Sequence, residues 1–294
     1  MRRVLLASLS ALLITPAVAA AAPPAMVTNG NNDGPGSLRY ALASGASKIV
    51  LKGNVGTVYV TETLEYTGAA PLRLVGSGQT IDGSGITDNT TPVFAITAGA
   101  DVSMSNLAID AGGMQNGMPY SRLNQGGGKG LFIDVPETRA GIVSVKLSDV
   151  TVIGTGNHGI HISDCSLGDD CGGGSGGGGD GSPASISVYL TGVHVTNSGN
   201  GKQDADGLRV DDRGDGDIIF IATNSVFSDV GADGVELDEG NNGSVYVDVR
   251  NTTFYFNGEY CNDGAEPTED EPCFDEIDDG EVIRDVDDGF DIDE

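Results

Sequence analysis

Gly207-Leu208-Arg209-Val210-Asp211 and Gly234-Val235-Glu236-Leu237-Asp238 are two copies of one pattern: a glycine, two apolar residues separated by one variable residue, then an acidic residue. Successive side chains of a strand point to opposite faces, so Leu208 and Val210 share one face while Arg209 and Asp211 share the other. The pattern recurs as Gly130-Leu131-Phe132-Ile133-Asp134, Gly159-Ile160-His161-Ile162-Ser163 and Gly289-Phe290-Asp291-Ile292-Asp293. A second motif interleaves with it: Asn106-Leu107-Ala108-Ile109, Asp149-Val150-Thr151-Val152, Gly192-Val193-His194-Val195, Asn224-Ser225-Val226-Phe227 and Asn251-Thr252-Thr253-Phe254. Two columns that keep the same order along the chain define a true repeat. Strands this short are not stable alone and bury their apolar faces only by stacking on the next repeat. The expectation is an all-β fold, a parallel β-helix (solenoid).

The tightest spacings, Gly207 to Gly234 and Gly130 to Gly159, set the length of one turn; longer spacings mark insertions at about 164–183, which is glycine-rich, and at about 259–287, which is acidic. Earlier repeats follow the Gly-to-Asp strand with a second strand, such as Gly243-Ser244-Val245-Tyr246-Val247-Asp248-Val249. The final one stops at Asp293-Glu294, so a chain missing C-terminal coils is expected.

Before the repeats, Arg2 and Arg3 precede an apolar run from Val4 to Ile14, then Pro16 and the small residues Ala17-Val18-Ala19-Ala20-Ala21-Ala22. These are the three regions of a secretory signal peptide, predicted over residues 1–22, with a single β-helix domain over 23–294. Nothing later reaches the length of a transmembrane segment. The product is exported to the periplasm, the cell surface or the medium. In an oxidising compartment the four cysteines read as two local disulfides, Cys165 with Cys171 and Cys261 with Cys273, because closing a short loop costs less entropy than closing a long one.

The formal charge is -28, from 15 Lys+Arg against 43 Asp+Glu. A chain this acidic has no basic patch to displace counterions, which excludes nucleic acid as a partner. The acidity is local: Pro23 to Ser163 holds 10 acidic and 8 basic residues, whereas Cys261 to Glu294 holds 16 acidic residues and one basic.

Near the start of the mature chain, Asp33-Gly34-Pro35-Gly36-Ser37-Leu38-Arg39-Tyr40-Ala41-Leu42 reads as a turn and a short helix with Leu38, Ala41 and Leu42 on one face. This stretch resembles the helix that covers the N-terminal end of right-handed parallel β-helix proteins of the pectate-lyase-like superfamily. The run Leu72-Arg73-Leu74-Val75-Gly76-Ser77-Gly78-Gln79-Thr80-Ile81-Asp82-Gly83 is similar to an early coil of that family. The resemblance implies a right-handed solenoid with an N-terminal capping helix, and a polysaccharide lyase, hydrolase or epimerase acting along its outer face. Asn157-His158-Gly159 is close to the Gly-His-Gly of polygalacturonase-like hydrolases, but it precedes the acidic pairs and no Arg-Ile-Lys follows. Arg209 beside Asp206, Asp211 and Asp233 is similar to the calcium-dependent lyases, which set a basic residue near carboxylate-bound calcium.

Stacking turns columns of the repeat into rows about 4.8 Å apart on the surface. The row Phe132, His161, Arg209, Glu236, Asp291 is flanked by Lys129, His158, Asp206, Asp233, Asp288 on one side and by Asp134, Ser163, Asp211, Asp238, Asp293 on the other. His158, His161, Arg209 and Glu236 are candidate catalytic residues, offering acid, base and charge-stabilising groups on one patch. Like charges at strand spacing repel, and Ca2+ relieves them with six to eight oxygen ligands. Asp206, Asp211, Asp212, Asp233, Asp238 and Glu239 are the candidate ligands. Three functions follow as alternatives: an exported protein that binds or processes a polysaccharide or cell-surface glycan, a non-enzymatic calcium-stabilised surface or adhesion solenoid, and the β-helical part of a larger exported protein.

Overall fold

The computed structural model describes residues 23–88, 90–113, 128–164, 181–199, 205–258 and 289–293, and the backbone of 274–278 and 281–284. The chain is all-β, with two parallel sheets and a single short helix among the described residues. The seven-stranded sheet runs in chain order through Leu64–Tyr66, Phe94–Ile96, Leu131–Asp134, Ile160–Ser163, Leu208–Asp212, Val235–Glu239 and Asp291–Asp293. Between each pair of these strands the chain crosses to the twelve-stranded sheet, whose backbone is Ala25–Val27, Lys48–Leu51, Leu72–Asp82, Val102–Asp110, Gly141–Ile153, Ala184–Thr191, Ile218–Thr223 and Val245–Arg250. Every neighbour in either sheet is thus the equivalent strand of the adjacent repeat, an arrangement compatible with a parallel β-helix.

Register follows the repeat residue for residue. Ile160 and Ile162 pair with Leu131 and Ile133 on one side and with Leu208 and Val210 on the other, and these pair onward with Val235 and Leu237. All eight side chains are fully buried. From the other sheet, Val143, Val145 and Leu147, then Ile186, Val188 and Leu190, then Ile218, Phe220 and Ala222 complete the same core.

The glycine that opens each strand is there for close approach. A Cβ at Gly159 would meet the Gly207 carbonyl oxygen at 2.5 Å, one at Gly207 the Gly234 oxygen at 2.5 Å, and one at Gly234 the Gly289 oxygen at 2.5 Å. The second motif has a different cause. Its first residues, Asn106, Asp149, Gly192, Asn224 and Asn251, all have φ between 49° and 64°, the left-handed region that Asn, Asp and Gly occupy at least cost. There the chain bends out of one strand and into the next, and Asn251 Nδ2 donates to Asn224 Oδ1 at 2.6 Å across the stack.

The helix expected near the N-terminus spans Leu38–Ala43, with the Ser37 side chain accepting from the Tyr40 N–H at its start and Leu38, Ala41 and Leu42 buried. Arg39 ties it to the sheets by donating to the Thr63 and Glu62 carbonyls at 2.6 and 2.8 Å. No helix is long and apolar enough to cross a membrane among the described residues. Phe274–Asp278 and Glu281–Arg284 form an antiparallel pair within the stretch read as the acidic insertion. The stretch read as a signal peptide and all four cysteines lie outside the described residues, as does most of the glycine-rich insertion.

A candidate cation site in a buried acidic face

The rows expected from the repeat are assembled in register. His161 pairs with Phe132 and Arg209, Arg209 with Glu236, and Glu236 with Asp291; one step along, Ser163, Asp211, Asp238 and Asp293 follow one another. Their environment differs from the sequence reading, which set them on a hydrated surface. His158, His161, Arg209, Glu236 and all six expected metal ligands are buried, none more than 7% exposed. With Asp164, the described residues bury eight carboxylates here, against two guanidiniums, Arg209 and Arg213. Each buried ion costs several kcal/mol unless paired, so this face needs protons or cations to balance it.

Arg209 sits at the centre. Its Nε donates to Asp211 Oδ1 at 2.8 Å and its Nη1 to Glu236 Oε2 at 2.7 Å, while Asp238 Oδ2 lies 3.4 Å from Nη2 and Asp206 Oδ2 3.6 Å from Nη1. Arg213, fully buried, binds Asp238 through Nη2, and its Nε and Nη1 have no hydrogen-bond partner. Asp211 also takes His161 Nε2. Burial raises the Asp211 carboxyl, but Arg209 and the His161 contact outweigh it and hold Asp211 well below the ordinary carboxylate range. Burial, reinforced by the Lys129 charge, lowers His161 to about 4 against the pull of Asp211. His161 is therefore neutral at pH 7, with its proton on Nε2 toward Asp211 and an unpartnered lone pair on buried Nδ1.

On the side of the turn before the strand, one carboxylate oxygen from each of Asp206, Asp233 and Glu236 lies within 4.8 Å of the others. Asp206 Oδ1 accepts the Asp233 N–H at 3.0 Å, which locks two successive turns together. His158 Nδ1 accepts the Asp206 N–H at 3.0 Å and lies 3.1 Å from Asp206 Oδ2.

At the far end of the strands, Asp164, Asp212 and Glu239 stack at the corner where the chain leaves the sheet. Asp164 Oδ2 accepts the Ser182 N–H, Asp212 Oδ1 the Gly214 N–H at 3.2 Å, and Glu239 Oε1 the Asn241 and Gly243 N–H groups at 3.3 and 3.1 Å. Asp212 Oδ2 and Glu239 Oε2 have no partner. Burial first, and then mutual repulsion, pushes Asp212 far above the ordinary range and Glu239 up to about 7. Asp164 is also raised, by burial. Burial likewise lifts Asp238 to about 6, against the charge of Arg213.

The six expected ligands thus divide three ways. Asp206 and Asp233 join Glu236, which the sequence reading had made catalytic. Asp211 and Asp238 are engaged by arginines, and Asp212 and Glu239 belong to the corner. Asp206, Asp233 and Glu236 fit a hard cation: three adjacent oxygens on a face with surplus buried negative charge. Arg213 was missed in the sequence because Asp-Asp-Arg-Gly-Asp-Gly reads as a solvated turn; its one signal was a lone cation in an acidic run.

Compared with protein families, curated proteins and solved structures, the chain matches none.

Proposed function

We propose that the chain is an exported right-handed parallel β-helix protein of the pectate-lyase-like kind, closed at its N-terminal end by the helix Leu38–Ala43. It binds or processes an extracellular polysaccharide at the acidic face of the seven-stranded sheet. One observation carries this reading: eight buried carboxylates against two guanidiniums on the outward side of three adjacent strands. Such an imbalance is maintained where a cation is to be bound, and calcium is the abundant hard cation outside the cell. Asp206, Asp233 and Glu236 are its ligands. A calcium ion held by these three side chains would supply the positive charge that balances their carboxylates and that an acidic protein needs to hold an acidic polymer.

Around that group the protein's own residues have distinct tasks. Arg209 holds Glu236 and Asp211 in place. Asp211 orients His161, and His161 Nδ1 is the acceptor for a substrate proton. A second reading, a calcium-stabilised surface solenoid without turnover, is favoured by the depth of the site, since Asp206 is fully buried and Asp233 4% exposed.

The test combines Asp206→Asn with Glu236→Gln and follows thermal unfolding and retention on polysaccharide gels, both with calcium and with chelator. The reading expects the wild type to gain stability from calcium and to bind an anionic polysaccharide only in its presence, and the double variant to do neither. Calcium stabilisation without binding to any polysaccharide selects the second reading. No effect of calcium on the wild type removes both.

A further inference from the structure

The outward face of the twelve-stranded sheet carries a row that the acidic face does not use. In register, Lys48 on the strand Lys48–Leu51 stands beside Arg73 on Leu72–Asp82, followed by Ser103, by Lys146 on Gly141–Ile153 and by Tyr189. Leu72, Leu74, Val145 and Leu147 are buried, so alternation turns Arg73 and Lys146 outward, and both are exposed, as is Lys48. Each of the three strands is paired on both sides, so this exposure is not that of a sheet end. At strand spacing the three cations lie within about 14 Å along the stack. In the sequence they are far apart, which is why the chain reads as lacking a basic patch; register alone gathers them.

Like charges on adjacent strands repel, and nothing on this face offsets them. None of the three cations makes an ion pair among the described residues, although the chain holds 43 Asp+Glu against 15 Lys+Arg. On the same sheet Arg250 does take a carboxylate, that of Asp248 at 2.7 Å. The row two residues on, Val50, Val75, Ser105, Ser148 and Thr191, bears no carboxylate. Asp101, two residues before Ser103, has its Oδ1 engaged by the Ser144 N–H at 3.0 Å.

The surroundings specify the partner. Charges set in a row along the stack suit a linear polyanion. Beside them stand the hydroxyls of Ser103, Ser105 and Ser148 and the ring of Tyr189, its centroid 5.4 Å from Lys146 Nζ. Such groups hydrogen-bond the hydroxyls of a sugar and pack against its ring. Val50, Val75 and Tyr189 are the only apolar or aromatic residues of the two rows over these five strands, too few for the apolar centre of a protein interface. The overall charge of -28 does not forbid an anion here: Pro23 to Ser163, where the row lies, holds 10 acidic and 8 basic residues, and charges beyond about 8 Å are largely screened at physiological salt.

We propose that Lys48, Arg73 and Lys146 form a docking row for a linear polysaccharide bearing carboxylate or sulfate groups. The row shares with the proposed function only the saccharide nature of its ligand; it lies on the other sheet and needs no calcium.

The experiment titrates the mature protein, in chelator, with a galacturonate hexasaccharide, a chondroitin sulfate hexasaccharide and a neutral xylose hexasaccharide, by calorimetry. Saturable binding of at least one charged sugar is expected, weakening as salt rises above about 0.15 M, with none of the neutral one. The double variant Arg73→Gln with Lys146→Gln weakens it about tenfold, as befits the loss of two exposed ionic contacts. Its Tm stays level, because exposed side chains without ion pairs contribute little to stability, so loss of binding is not loss of fold. The variant Asp206→Asn with Glu236→Gln binds as the wild type does. Absence of binding to both charged sugars, equal binding of the neutral one, or wild-type binding by the Arg73 and Lys146 variant overturns the proposal. So does binding lost in the Asp206 and Glu236 variant, which would put the ligand on the acidic face, or a salt-sensitive dimer that the Arg73 and Lys146 variant abolishes, which would make a second copy the occupant. Because calcium is absent throughout, failure of the cation site cannot imitate any of these results.

Discussion

Replacing Asp233 with asparagine removes one of three carboxylates whose oxygens lie within 4.8 Å of one another. At that separation, and at an effective dielectric near 20, each ionised pair repels by about 3.5 kcal/mol, and the substitution deletes two of the three pairs. A carboxylate repelled that strongly takes up a proton instead, which at pH 7 costs about 4 kcal/mol for a group of ordinary pKa and so caps the penalty. Arg209, 2.7 Å from Glu236 and 3.6 Å from Asp206, already offsets part of it. Without calcium, Asp233→Asn should therefore be more stable than the wild type by about 2 kcal/mol, a Tm rise of several degrees for a domain of this size. With calcium the order should reverse: a ligand at one hundred times its Kd adds about 2.7 kcal/mol to the wild type, and the variant forgoes most of that. The assay is calorimetric unfolding of both proteins in chelator and at saturating calcium. A variant less stable than the wild type in chelator, yet equally stabilised by calcium, would refute the reasoning, because Asp233 would then be neither a repelled charge nor a ligand.

Three further outcomes follow from the same geometry. In chelator, Tm should fall as pH rises from about 4 to 7. Asp238 and Glu239, raised to about 6 and about 7, keep protons in the folded chain that the unfolded chain has already lost, so their stabilisation is complete below the ordinary carboxylate range and vanishes above the raised values. Each such group contributes a slope of up to about 1.4 kcal/mol per pH unit, and a flat or rising Tm over this interval would contradict the raised values. Arg213→Ala should cost about 3–5 kcal/mol in urea denaturation, since it strips Asp238 of its closest cation and opens a buried cavity; a loss under about 1 kcal/mol would show that Arg213 is not paired as described. Gly207→Ala should destabilise by about 1–3 kcal/mol, because the new methyl meets the Gly234 carbonyl, whereas Gly53→Ala, with nothing within 4 Å, should be neutral or better. Equal effects of the two would undo the close-approach account of the glycine column.

The frame was legible because its causes are local and periodic. Gly159, Gly207 and Gly234 recur where a neighbouring carbonyl leaves no room for a side chain, and Asn106, Asp149, Asn224 and Asn251 recur where the backbone turns left-handed. Period-two alternation then sorted Leu208 and Val210 inward and Arg209 and Asp211 outward, so the rows of the acidic face could be written down in advance. Two properties escaped. Whether an outward residue is wet depends on chain beyond its own strand, and nothing in Gly-Leu-Arg-Val-Asp distinguishes a solvated Asp211 from a buried one. Partner choice depends on reach: the forked Arg209 spans from Asp211 on its own strand to Glu236 on the next, which separates Asp211 from the candidate cation ligands and gives it to His161.

The central claim, a cation site on the acidic face, is tested most directly by a crystal structure of the mature chain grown with calcium, with the ion located by its anomalous signal. The account predicts a peak coordinated by oxygens of Asp206, Asp233 and Glu236 at about 2.3–2.6 Å. A calcium-saturated crystal with those three carboxylates bound only to protein groups and water, or with the ion held elsewhere on the chain, would contradict it.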